Sequence, residues 1–155
     1  MQHIVFYFQV HQPYRLKHLG VLDIGSGGDV FDEELNAATV RKVGDKCYLP
    51  ANRVLAELID RYDGKFKVSF SITGVAVEQF RKYYPEVLDS FKALARTGCV
   101  EFLGETYYHS LAFLFDKMEF IDQIRMHRKL MQDEFGYTPI VFRNTELIYQ
   151  DVLSD

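Results

Sequence analysis

The chain has 155 residues, 48% hydrophobic and 15% aromatic, enough apolar mass for one domain with a real core and too much for a disordered segment. A formal net charge of −4, a sequence pI near 5.7 and the lack of any Lys/Arg block leave no footprint for nucleic acid or an anionic membrane. No apolar run is long enough to cross a bilayer, and Cys47 and Cys99 have neither CxxC spacing nor a disulfide framework, so they are expected as buried free thiols of a soluble, cytoplasmic protein.

Residues 3–10, HIVFYFQV, are β-branched and aromatic almost throughout, which predicts a first strand buried on both faces. Pro13 cannot donate to a ladder and drives Gln12 away from helical geometry, so the strand ends at His11. Residues 14–31 form a long glycine-containing connection. Its GSGGD cluster (25–29) imitates a phosphate loop, but no GK[ST] follows it.

Helical composition covers 32–43, Gly44-Asp45 reads as a break, and a second helix follows over about 50–62 with Val54, Leu55, Leu58 and Ile59 on one face. Residues 66–72, FKVSFSI, alternate as strand two. Two helices come next, 75–84 and from Pro85 to Thr97-Gly98, the latter with Val87, Leu88, Phe91, Leu94 and Ala95 at helical spacing. Strand three is 100–103, the aromatic stretch 107–115 is irregular, and 117–135 is a long helix ended by Gly136. His127 lies near its apolar stripe and reads as a buried, hydrogen-bonded histidine. Strand four is expected over 140–144.

Strands alternating with helices predict an α/β fold with parallel strands and right-handed crossovers. A small open sheet and a partial barrel satisfy this pattern equally. Sites in such folds lie at the carboxyl ends of strands. There the sequence offers His11 and Gln12 after strand one, Glu105 and His109 after strand three, and Arg143, Asn144 and Glu146 after strand four. Each has a structural alternative: Glu146 as a helix-capping carboxylate, His11 as a satisfied histidine, Glu105 and His109 as a local hydrogen bond. His11, Glu105 and His109 are also potential metal ligands, but no HExxH is present, and neither metal nor cofactor is expected.

Three stretches carry a resemblance: HQPYR (11–15), GETYYHSLA (104–112) and FRNTELIY (142–149) are similar, in order, to the first three sequence regions of glycoside hydrolase family 57, particularly its α-amylase-like members. The resemblance implies an incomplete (β/α)7 barrel acting on α-glucans with retention, as hydrolase or glucanotransferase. It makes Glu146 the nucleophile, has His11 contact the sugar in the subsite being cleaved and has Glu105 and His109 line the same cleft, while Gln12, Arg143 and Asn144 are expected to bind substrate from their strand-end positions. The family's acid/base aspartate lies in a fourth region with no counterpart here; Asp151 and Asp155 match no motif. Residues 1–155 are therefore expected to be the amino-terminal portion, about four strands, of one catalytic barrel, inactive alone. A non-catalytic carbohydrate-binding module from the same barrel is the alternative, and metal-dependent deacetylation on a related barrel is a third.

Overall fold

The structure, a computed structural model, describes residues 4–23, 25 and 27–154. Three parallel strands, β1 (Tyr7–Val10), β2 (Val68–Ile72) and β3 (Val100–Phe102), lie in the order β1-β2-β3, so the chain advances across the sheet without reversing. The helices are α1 (Glu33–Val43), α2 (Leu49–Arg61), α3 (Gly74–Tyr83), α4 (Pro85–Arg96) and α5 (Lys117–Phe135).

The period of two in each strand divides the sheet into two unlike faces. Val10, Val68, Phe70, Ile72, Val100 and Phe102 join residues from all five helices, among them Val40, Leu55, Phe80, Phe91 and Met131, in a single core. Phe91 is its centre: its ring meets Phe70 edge-on at 5.4 Å and stacks on Phe80 at 6.1 Å. The opposite face carries Tyr7 and Gln9 of β1, Ser69 and Ser71 of β2 and Glu101 of β3. This polar face leads to the strand ends.

Several expectations change. Strand one is shorter than 3–10 and is not buried on both faces: among the described residues it pairs only with β2, and Ile4, Val5, Phe6 and Phe8 are exposed. Its first expected residue lies outside the described residues. Residues 140–144 form no strand. β3 stops at Phe102, which leaves this segment a single parallel bridge, Gly104 with Phe142, made by Gly104 N to the Val141 carbonyl (2.7 Å) and Arg143 N to the Gly104 carbonyl (2.9 Å). Four expected strands are thus three strands and a bridge in the next position.

Gly44 does not break the helix. The backbone passes through a π segment, Gly44–Tyr48, directly into α2. A Cβ on Gly44 would stand 2.7 Å from the Tyr84 ring, so glycine serves a close helix approach there. Cys99 is buried as expected, whereas Cys47 is exposed. Among the described residues no helix is long and apolar enough to cross a membrane.

Candidate functional site

The site is built where the polar face meets the strand ends. His11 follows β1 directly, and its Nδ1 lies 3.0 Å from the hydroxyl of Thr73. Thr73 is the N-cap of α3, accepting from Ala76 N at 3.3 Å; its hydroxyl proton is then available to His11, which suits a neutral ring. Burial, and then the neighbouring His109 charge, push the His11 pKa below the ordinary imidazole value.

Glu105 follows β3 and is 1% exposed. Its Oε2 accepts from Gln9 Nε2 at 3.1 Å and lies 3.4 Å from His109 Nδ1. His109 Nε2 in turn stands 3.2 Å from Glu146 Oε1. The His109 ring stacks on His11, with centroids 4.4 Å apart and planes inclined by 27°. Its hydrogen bond to Glu105 raises the His109 pKa above the ordinary value, against burial, with Glu146 adding in the same direction.

Glu146 sits in a 3-10 turn, Thr145–Leu147, with φ 55° and ψ 19°, a left-handed conformation unusual for a residue with a Cβ. Its side chain is 70% exposed, unlike the buried Glu105. The turn is anchored from beneath, where Thr145 Oγ1 lies 3.0 Å from Thr106 Oγ1, both residues being buried. Arg143 Nη1 donates to Gln9 Oε1 at 2.7 Å, and its guanidinium lies 4.8 Å from the centre of the Tyr7 ring.

Five of the seven sequence candidates therefore belong to one linked group: His11, Glu105, His109, Glu146 and, through Gln9, Arg143. The other two are engaged elsewhere. Gln12 donates to the Tyr48 hydroxyl at 3.0 Å and its carbonyl accepts from Gln79. Asn144 is buried and donates to the Ile148 carbonyl at 2.8 Å, which closes the turn around Glu146.

Gln9 is the residue that sequence reasoning missed. Its amide joins Glu105 to Arg143 and also accepts from the Tyr7 hydroxyl at 2.6 Å. The signal was present: Gln9 is a polar residue inside an apolar run and shares the period of His11. Glu78 was missed too. It accepts from Tyr107 at 2.6 Å and Tyr14 at 3.3 Å, tying the loops after β3 and β1 to α3. Among the described residues no group of three or more His, Cys, Asp or Glu is placed to hold a metal ion.

The family model described as glycosyl hydrolase family 57 matches residues 5–154. A Methanocaldococcus jannaschii protein named "Putative alpha-amylase" is 49% identical over 154 residues, which cover 96% of this chain and 32% of that protein. An "Alpha-amylase" of Pyrococcus abyssi is 27% identical over 72% of this chain and 17% of its own length. The fold matches the 4-alpha-glucanotransferase of Thermococcus litoralis with a TM-score of 0.72 at 21% identity, covering 96% of this chain and 20% of that one. It also matches a GH57 branching enzyme of Thermococcus kodakaraensis with a TM-score of 0.63 at 17% identity, covering 92% and 32%. The chain spans about a third or less of the length of these relatives.

Proposed function

The chain belongs to glycosyl hydrolase family 57, and from that premise we propose that its polar strand ends form one side of the active site of a retaining enzyme acting on α-glucans, with Glu146 as nucleophile. The observation that carries this reading is the contrast between two carboxylates on one histidine: Glu105 is buried, while Glu146 is 70% exposed and held in the same group as His11 and Arg143. A nucleophile must be reachable, oriented and ionised, and Glu146 meets the first two demands by position.

In this reading a Glu146 oxygen attacks the anomeric carbon as the glycosidic C–O bond breaks, and the leaving oxygen takes a proton from a second carboxyl group. Water or a sugar hydroxyl then releases the glycosyl group with overall retention, giving hydrolysis or transfer. His11 and Arg143 contact the sugar, Glu105 and His109 line the cleft, and Gln12 and Asn144 hold the loops that carry them. Retention requires the two carboxyl groups to be about 5–5.5 Å apart. Glu105 is a poor acid here, because it lies across the His109 ring from Glu146 and faces inward. The acid is an aspartate outside the group described, and the chain is the amino-terminal part of an incomplete (β/α)7 barrel. Helices confined to one sheet face and an unreversed strand order support the barrel.

An activated substrate separates attack from acid catalysis, since fluoride leaves without a proton from the enzyme. The chain is expected to release fluoride from α-maltosyl fluoride and to leave maltooligosaccharides intact. Glu146→Gln should lower fluoride release by on the order of 10³-fold or more. Equal release by the variant contradicts the assignment. Saturable maltooligosaccharide binding with no fluoride release would instead support a carbohydrate-binding module.

A further inference from the structure

Both ring nitrogens of His109 face carboxylates, Nδ1 at 3.4 Å from Glu105 Oε2 and Nε2 at 3.2 Å from Glu146 Oε1. A neutral imidazole has one N–H and can donate to only one of them, whereas an imidazolium donates to both. Glu105 is 1% exposed and its Oε1 has no hydrogen-bond partner among the described residues, so this buried carboxylate has particular need of a cation. His109 and Glu146 both adopt left-handed backbone, φ 56° and 55°. Two such conformations at the two ends of one contact indicate that the fold holds these side chains face to face.

We propose that His109 is a positioning residue that works as an imidazolium, tying exposed Glu146 to buried Glu105 and so fixing the direction in which Glu146 presents its other oxygen. The clamp is a property of the three side chains; its use in catalysis rests on the nucleophile reading above. The charged and titratable groups around the ring are Glu105 after β3, Glu146 in the 145–147 turn, His11 after β1 and, one side chain removed through Gln9, Arg143. His11 covers one face of the ring with its own imidazole, and Thr73 holds that imidazole through its Nδ1. The neutral state suits His11 in this stack, because two adjacent imidazolium rings would repel.

The test is nitrogen-15 NMR of the histidine rings through a pH titration of the whole chain. Both His109 nitrogens are expected in the imidazolium range at neutral pH, with a midpoint above the ordinary value of about 6.5. Glu146→Gln, at an exposed side chain, should lower that midpoint, and Glu105→Gln should lower it further, by about one pH unit or more. A wild-type midpoint at the ordinary value, or a midpoint insensitive to Glu146→Gln, overturns the clamp. A His109 that does not hold Glu146 in solution would not respond to the charge at position 146. Glycosyl labelling of a residue other than Glu146 sinks the nucleophile reading alone, and the titration still decides the clamp.

Discussion

His127 shows what a histidine does when it is spent on the fold. It is fully buried on α5, and its Nε2 donates to the Ile72 carbonyl at 2.9 Å, at the end of β2. Removing that donor leaves a buried carbonyl unpaired, so His127→Leu is expected to cost about 1–3 kcal/mol by urea denaturation. Burial lowers its folded pKa, so the unfolded ring takes up a proton near pH 6.5 while the folded ring does not. Its contribution is therefore complete above that pH and is lost as the pH falls below it, and His127→Leu should make the acid-side decline in stability shallower. The apolar stripe made this burial legible in the sequence. His11 and His109 were legible as strand-end residues, but not their stacking or their opposite protonation preferences, which depend on Thr73 and on two glutamates distant in sequence.

At the scale of elements, helical spacing marked α2, α4 and α5, alternation marked β2, and composition marked α1; all of them, with α3, contribute to the same core. These patterns failed where the cause was tertiary. Gly44 looked like punctuation, yet its missing Cβ is what admits the Tyr84 ring against the α1–α2 junction. Gly44→Ala forces that contact and is expected to cost about 1–3 kcal/mol, seen as a lower melting temperature, with the helical circular-dichroism signal retained. Phe91→Ala, which empties the middle of the aromatic cluster, should cost about 3–5 kcal/mol. The run 3–10 reads as doubly buried from its composition. Composition does not distinguish a covered strand from an edge strand, and among the described residues β1 is an edge.

For the molecule as a whole, the division of the sheet has the larger consequence. Helices cover one face, and the other carries the polar residues, with Gln9, Glu105 and Arg143 linked along it. Among the described residues the outer edge of β1 is unpaired, and with Phe8 exposed it is a template for strand pairing. The chain is expected to self-associate at micromolar concentrations in sedimentation velocity, and Phe8→Lys should reduce that association; a strictly monomeric wild type would contradict the edge argument.

Attack of Glu146 on the sugar is tested by mass spectrometry after treatment with a 5-fluoro-α-glycosyl fluoride. Such a reagent forms the glycosyl-enzyme and slows its release, so the label marks the nucleophile. One adduct is expected, on the peptide that holds Arg143 to Tyr149, assigned to Glu146 by fragmentation and absent in Glu146→Gln. An adduct on Glu105 or any other carboxylate, or one that persists in Glu146→Gln, would contradict it.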